Sequence, residues 1–251
     1  MPSKSPLIEV CIEGVDDLLA AEQGGADRVE LCASLMEGGI TPSIGVVRQA
    51  IELSPLPVHV MVRPRGGDFL YSESEFDCML EDVDAIRGAN AAAVVFGCLD
   101  ADGCIDEART AILVNRARPL SVTVHRAFDM TRDPAEALEA LIRCGVDRVL
   151  TSGQCPDAVT AIPALRRLNE QAAGRIIVLG CGGLRPDTIG QVVRETGLVE
   201  LHFSALVDMP SPMRHRNASL GMGRTDLERE YRRTVTDADL VARTIEAARG
   251  G

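Results

Sequence analysis

The sequence carries a repeated Glu-x-Cys motif whose thiols are Cys11 and Cys32 and whose acids are Glu9 and Glu30. Each copy ends a short apolar run of the kind that forms a buried β-strand. Because alternate side chains of a strand point to opposite faces, the acid and the thiol of each copy share one face. Thiolates are ligands for soft metal ions, and carboxylates accept and release protons. The repeat therefore predicts two metal-ligand candidates and two candidates for proton transfer.

The elements that position these residues follow from eight apolar, β-branched runs separated by amphipathic stretches. The runs are spaced by about 27 residues, the length of a strand, a crossover helix and two loops. This alternation predicts an α/β fold, a single-domain (βα)8 TIM-like barrel over residues 1–251. We expect 206–224 to be a long loop after the eighth strand and 237–249 to be a C-terminal helix. The runs lie at residues 7–12, 28–32, 58–62, 92–97, 121–125, 147–151, 175–179 and 198–203.

Strand alternation also predicts a barrel interior rich in ionisable groups. Such interiors are normally packed with branched apolar residues, so polar groups there must pair with one another or serve chemistry. One interpretation is a structural ion-pair network in which Arg63 neutralises Glu9 and Glu30. The sequence favours a functional site for the set as a whole. Besides the acids and thiols above, the residues expected to point inward are His59, Met61, Arg63, Thr123, His125, Glu200, His202 and Ser204.

The segment after the third predicted strand has the composition of an anion-binding loop. Residues at the carboxyl ends of strands carry the site in this fold. Arg63 and Arg65 offer guanidinium groups, and Gly66 and Gly67 allow backbone N–H groups to approach an anion. The alternative is a structural turn held by Arg–Asp pairing, and the sequence leaves both open.

Later strand ends add a proton-transfer candidate and a possible phosphate cup. His125 follows the fifth strand, with Asp129 as a carboxylate that could orient it. Small residues follow the sixth, seventh and eighth strands, where many barrels bind phosphate. We therefore expect anion-binding groups at Ser152, Gly182, Gly183 and Ser204.

Composition and charge exclude several classes of partner. A net charge of −11 argues against nucleic acid and anionic membranes, which do not attract an acidic surface. The N-terminal residues lack the apolar region of a secretion signal, and the longest apolar stretch, around 91–99, is too short to span a bilayer. The eight cysteines have no zinc-type spacing. We expect a cytoplasmic protein with reduced thiols and, as its partner, a small anionic ligand.

Several long strings resemble the CutC family of copper-homeostasis proteins. The resemblance implies a TIM-like barrel, a cytoplasmic location, a homodimer or higher homo-oligomer, and copper(I) binding by Cys11 and Cys32. The chain departs from the family pattern at Cys181, where members usually carry glycine, and at Phe203, where they often carry cysteine. The strings are EVC at 9–11, GGADRVELC at 24–32, EGGITPS at 37–43, RPRGGDFLYS at 63–72, HRAFD at 125–129, LTSG at 150–153 and the glycine cluster at 180–183.

Two functions remain open from the sequence. The first is copper(I) binding: adjacent strands lie ~4.8 Å apart, so thiols at two neighbouring strand ends could converge on one ion. The second is an enzyme of proton-transfer, lyase or isomerase type that acts on a small anionic or phosphorylated metabolite. In that case Glu30 or Glu9 is the base, His125 is the acid and the glycines after the seventh strand hold the phosphate. A pure scaffold would leave the polar interior unexplained.

Overall fold

The predicted barrel is confirmed by the computed structural model, which describes residues 5–217, 219–222 and 227–250. Eight parallel strands close in sequential order, with the eighth paired to the first. Each strand lies on its predicted run, to within two residues at either end. The strands are β1 (Leu7–Ile12), β2 (Arg28–Leu31), β3 (Val58–Met61), β4 (Ala93–Phe96), β5 (Ser121–Val124), β6 (Arg148–Thr151), β7 (Ile177–Gly180) and β8 (Glu200–Phe203).

Helices between the strands form the outer ring of the barrel. Their apolar faces pack on the outward side chains of the strands, such as Ile8, Val29 and Val60, which are fully buried. The last helix packs against the first and seventh and so completes the ring. None of the helices in the described part of the chain is both long enough and apolar enough to cross a membrane. The helices are α1 (Val15–Gln23), α2 (Ile44–Leu53), α3 (Glu73–Gly88), α4 (Glu107–Ala117), α5 (Pro134–Arg143), α6 (Ile162–Ala172), α7 (Ile189–Thr196) and α8 (Ala238–Arg249).

The segment predicted as a loop at 206–224 begins with a strand of a two-stranded ribbon, whereas 211–217 and 219–222 form no helix or strand. Leu206–Pro210 forms β9, which pairs antiparallel with β10 at Arg232–Thr236. The loop prediction was wrong for 206–210, because prolines and methionines in the segment suggested irregular structure and the strand that pairs with β9 lies beyond the end of the predicted loop. Residues 218, 223 and 224 of the predicted loop lie outside the described residues.

A continuous set of buried ion pairs fills the inside of the barrel. Nε of Arg28 lies 2.6 Å from Oε2 of Glu9, and its Nη2 lies 2.5 Å from Oε2 of Glu200. Nε of Arg148 lies 2.6 Å from the same Glu200 oxygen. All four side chains are buried. The ring of charges is therefore balanced by pairing across strands β1, β2, β6 and β8.

Two histidines also contact the carboxylate of Glu9. Nδ1 of His202 lies 2.8 Å from Oε1, and Nδ1 of His59 lies 3.0 Å from Oε2. Burial raises the pKa of Glu9, but the hydrogen bond with His202 and the nearby His59 and Arg28 outweigh burial and hold that pKa well below its usual value. Glu9 is therefore a charged structural centre inside the barrel.

The interpretation in which Arg63 neutralises Glu9 and Glu30 was wrong. Its guanidinium donates to the backbone carbonyls of Glu37 at 2.6 Å and of Gly39 and Gly67 at 2.9 Å, and it forms no ion pair with Glu9 or Glu30. Arg63 follows the end of β3, near the rim, whereas Arg28 begins β2 and lies deeper. The deeper arginine is the one that meets the acids.

We predict that Arg28→Met lowers the free energy of unfolding by about 3 kcal/mol, because it leaves the buried carboxylate of Glu9 without its arginine. Urea titration followed by circular dichroism measures the change. Arg175→Met is the control, since Arg175 forms an exposed pair with Glu139 and its loss should alter stability little. Equal effects of the two substitutions would contradict the structural role of Arg28.

Candidate functional site

A cavity of about 900 Å³ opens at the carboxyl ends of the barrel strands. Its walls come from the ends of several strands, the loops that follow them and helix α8, as the barrel fold predicts for a site. The cavity therefore lies where the sequence placed the functional residues. Of the predicted site residues, those that line it are Cys11, Glu30, Arg63, His125, Gly182, Gly183 and Ser204.

The two predicted metal ligands meet at one carboxyl group. Oε2 of Glu30 lies 3.4 Å from Sγ of Cys11 and 3.6 Å from Sγ of Cys32. One ligand atom from each of the three residues lies within 4.8 Å of the other two, a spacing that could hold a metal ion. Neighbouring strands produce this convergence, since Cys11 of β1 pairs in register with Glu30 of β2.

The two thiols differ in their readiness to ionise. The pKa of Cys11 is lowered to about 5, and the largest cause is a hydrogen bond from Cys32. Burial acts in the opposite direction, and His202 lowers the pKa further. The same hydrogen bond, together with burial, raises the pKa of Cys32 well above the ordinary value. The pKa shifts thus favour ionisation of Cys11 over ionisation of Cys32.

The groups around the thiolate also have shifted pKa values. Burial, and then the charge of Cys11, raise the pKa of Glu30 well above its usual value. Burial lowers the pKa of His202, but the attraction of Glu30 and hydrogen bonds to Cys11 and Glu9 outweigh it and raise that pKa. The imidazole of His202 thereby links the ion pairs inside the barrel to the thiols at its mouth.

Cys181 lies in the cavity wall but outside the group that could hold a metal. Burial is the main cause that raises its pKa well above the ordinary value. It packs with Leu150 and Leu179 in a small apolar cluster. This extra thiol of the chain is therefore a packed, protonated side chain.

Arg65, Gly66 and Gly67, the residues predicted to bind an anion in the loop after β3, do not line the cavity. Arg65 turns away from the cavity and pairs with Glu75 at 2.6 Å and with Asp68 at 3.1 Å. Gly66 faces Glu37 so closely that a β-carbon there would lie 2.0 Å from a carboxylate oxygen. Gly67, in the left-handed region with φ of +82°, supplies a carbonyl to the guanidinium of Arg63. Gly66 and Gly67 both lie outside the cavity lining, so the loop matches the structural-turn alternative.

His125 and Asp129 do not form the predicted pair. Nδ1 of His125 accepts a hydrogen bond from the N–H of Ala127 at 3.1 Å, so the ring hydrogen is carried by Nε2. Burial and the charge of Arg63 lower the pKa of His125 to about 3, so this side chain is neutral at physiological pH. It is therefore suited to donating a hydrogen bond rather than releasing a proton.

Asp129 instead organises the loop after β6. Its carboxylate accepts hydrogen bonds from the backbone N–H groups of Ser152 and Gln154 at 3.1–3.2 Å and from the Ser152 hydroxyl at 3.0 Å. Arg126 pairs with it at 2.7 Å. A short 3₁₀ turn over Arg126–Met130 carries Asp129 toward β6, which is why it does not meet His125. Ser152 is thus fully buried and committed to contacts within the protein.

Some residues at or beneath the site were missed by the sequence reasoning. Arg28 had a usable signal, because it lies two residues before Glu30 on the same strand and therefore on the same face. No sequence signal pointed to Arg185 or Arg243, because the first lies in the loop after β7 and the second on α8. Only the packed structure brings them to one cavity.

We predict that iodoacetamide alkylates Cys11 at a rate that changes little between pH 6 and pH 8. A thiol whose folded pKa is about 5 is already a thiolate throughout this range. Glutathione in the same reaction should react about tenfold faster per pH unit, as the thiolate fraction of an ordinary thiol rises. Mass spectrometry of the Cys11 peptide gives the rate. A rate that climbs in parallel with that of glutathione would contradict the assignment of the thiolate.

Known proteins resemble this chain along most of its length. The sequence matches the CutC family over residues 6–207. A CutC family protein from Mesorhizobium japonicum is 63% identical over 247 residues, which cover 98% of this chain and 96% of that protein. The copper homeostasis protein cutC homolog of Homo sapiens is 45% identical over 241 residues, which cover 96% of this chain and 88% of that protein.

Solved structures agree with these relatives. The crystal structure of CutC from Streptococcus agalactiae superposes with a TM-score of 0.75 at 31% identity, covering 78% of this chain and 97% of that one. Phosphoribosylanthranilate isomerase from Pyrococcus furiosus, with a TM-score of 0.55 at 15% identity over 98% of this chain and 100% of that one, shares the fold alone. Because the family match covers most of the sequence and close relatives align almost end to end, the chain belongs to the CutC family.

Proposed function

We propose that this protein binds copper(I) through Cys11 and Cys32 and serves copper homeostasis in the cytoplasm. The observation that carries the proposal is the convergence of two thiols from adjacent strands on one carboxyl group, with ligand atoms within 4.8 Å of one another. Soft thiolates are the ligands that select copper(I). The name of the human relative, a copper homeostasis protein homolog, supports the same function.

The charge state of the pair favours a monovalent soft ion. Cys11 supplies a thiolate before the metal arrives, because its pKa is lowered to about 5. Cys32 must lose a proton on binding, since its pKa is raised, and a bound cation would offset that cost. Glu30 supplies a harder oxygen ligand that copper(I) does not require. Binding should therefore weaken as the pH falls, when protons compete for the thiols.

We predict that Cys11→Ser combined with Cys32→Ser abolishes tight, stoichiometric copper(I) binding. The measurement is competition against a chromogenic copper(I) chelator under anaerobic conditions. Cys78→Ser combined with Cys104→Ser is the control, because it removes two thiols from outside the cavity and should leave affinity unchanged. Unchanged copper(I) affinity in the variant that lacks Cys11 and Cys32 would contradict the assignment of these thiols as ligands.

We also infer a homodimer or higher homo-oligomer, as the family resemblance implies. The proposal for the metal does not depend on it, because both thiols and Glu30 come from one chain.

A second candidate function is favoured by the size of the cavity. A volume of about 900 Å³ greatly exceeds the need of a single ion and falls in the range of sites for small organic ligands. The candidate is an enzyme of proton-transfer, lyase or isomerase type acting on a small anionic metabolite. Glu30 lines the cavity and has a raised pKa, as a general acid or base requires, whereas Glu9 is ion-paired below it.

We predict that such an enzyme exchanges a carbon-bound proton of its substrate with solvent, and that Glu30→Gln abolishes the exchange. A panel of small hydroxy acids, keto acids and their phosphates, incubated in D2O and followed by NMR, makes the measurement. Glu246→Gln, an exposed change on α8, is the control and should leave the rate intact. Exchange that persists in Glu30→Gln would remove Glu30 from the reaction, and no exchange across the panel would argue against this candidate.

A further inference from the structure

One wall of the cavity carries cationic groups without anionic partners. The side chains of Arg185, from the loop after β7, and Arg243, from α8, form no ion pair or hydrogen bond with the described residues, although both line the cavity. The cavity lining as a whole carries four arginines against two acids, Glu30 and Asp187, in a chain whose net charge is −11. A cavity of opposite sign to its protein attracts an anion.

Backbone donors lie on the same wall. The N–H groups of Gly182 and Gly183 donate to none of the described residues, and both glycines line the cavity. Their φ angles of +102° and +64° are in the left-handed region, which glycine adopts without the steric cost of a side chain. Two guanidinium groups and two free N–H groups form a donor set suited to a phosphate, which presents three acceptor oxygens.

A second donor set lies on the wall made by β3 and β5. Nε of Arg63 and Nε2 of His125 are both buried and both without a hydrogen-bond partner. Arg63 is 5% exposed and His125 is 3% exposed. The guanidinium of Arg63 lies 5.0 Å from the ring centre of Phe69, and the ring of His125 lies 5.0 Å from the same centre, so the two groups flank one aromatic side chain.

Both unpartnered atoms on this wall are hydrogen-bond donors. The guanidinium always carries its Nε hydrogen, and His125 must carry its ring hydrogen on Nε2 because Nδ1 accepts from Ala127. Buried donors without a partner are rare in native proteins, and each one requires an explanation. The residues that carry these donors both line the cavity, and a ligand that presents an acceptor oxygen there would supply the missing partner.

The closed strand order puts the two donor sets on opposite sides of the mouth. In a barrel of eight strands paired in sequence, β3 lies across from β7. A ligand that satisfies both sets must therefore carry acceptor oxygens at two separated ends. A lone phosphate or a lone carboxylate could satisfy only one.

We propose that the cavity binds a small organic molecule with a phosphate at one end and a carboxylate or carbonyl oxygen at the other, of the class of phosphorylated hydroxy or keto acids. Arg185, Arg243 and the N–H groups of Gly182 and Gly183 bind the phosphate. Arg63 and His125 bind the other end. The proposal deepens the second candidate function by naming its ligand class, and it does not rest on copper.

The test measures binding of three probes to the metal-free protein by isothermal titration calorimetry, with chelators present. The probes are phosphoglycolate, which carries both ends, methyl phosphate, which carries only the first, and glycolate, which lacks the phosphate. We expect phosphoglycolate to bind at least tenfold more tightly than either of the others. Equal affinities for phosphoglycolate and methyl phosphate would overturn the two-ended site, while proton exchange on another substrate could still support an enzyme.

Substitutions in the cavity test which residues bind each end of the ligand. Arg185→Gln with Arg243→Gln should weaken phosphoglycolate at least tenfold and remove methyl phosphate binding. His125→Phe should reduce phosphoglycolate to the affinity of methyl phosphate and leave methyl phosphate unchanged. His125→Ala, with a smaller side chain and no donor, replaces it if the first variant does not fold.

A matched control separates specific contacts from general electrostatics. Arg48→Gln with Arg167→Gln removes the same charge from exposed positions outside the cavity and should leave all three affinities unchanged. A loss as large as that of the Arg185 and Arg243 variant would show nonspecific attraction and overturn the phosphate assignment. Absence of binding by every probe would overturn the proposal as a whole.

Discussion

The ion pairs of Glu9 and Glu200 with Arg28 and Arg148 are the constraint on which the barrel interior depends. Charges removed from water are tolerated only when partners satisfy them, so each side chain requires the others to be in place. The pairs join strands that are distant in sequence and hold them in one register. Other barrels fill this volume with branched apolar residues, whereas here the interior is held by charge as well as by packing.

The chemistry at the mouth depends on this buried charge. His202 contacts Glu9 through Nδ1, and its attraction to Cys11 helps to lower the pKa of that thiol. The ionisation of the thiol at the rim is thus coupled, through one imidazole, to the carboxylate below. Glu30, between the two thiols, takes the opposite shift because burial and the neighbouring thiolate both disfavour its charge.

The cavity combines two kinds of chemistry that need not serve the same ligand. One side carries a compact group of sulfur and carboxyl atoms suited to a soft ion. The rest is wide and carries unpartnered donors, which suit oxygen-rich anions. Because Cys11 and Glu30 line the same cavity as Arg63 and His125, an organic ligand held by the donors would lie within reach of the thiolate and the acid. A metal and a metabolite could therefore compete for this site or occupy it together.

Much of the architecture was determined by the sequence alone. The spacing of apolar runs specified eight strands, because a strand, a helix and their loops need a nearly constant length, and strand alternation placed the polar residues inside. The convergence of Cys11 and Cys32 followed from their places on adjacent strands. Only the tertiary structure decided which charges pair: Arg28 rather than Arg63 meets Glu9, and Asp129 meets the loop after β6 rather than His125. The reason is physical, since periodicity determines the face on which a side chain lies, whereas depth along the barrel and the paths of loops determine which side chains on that face come within bonding distance.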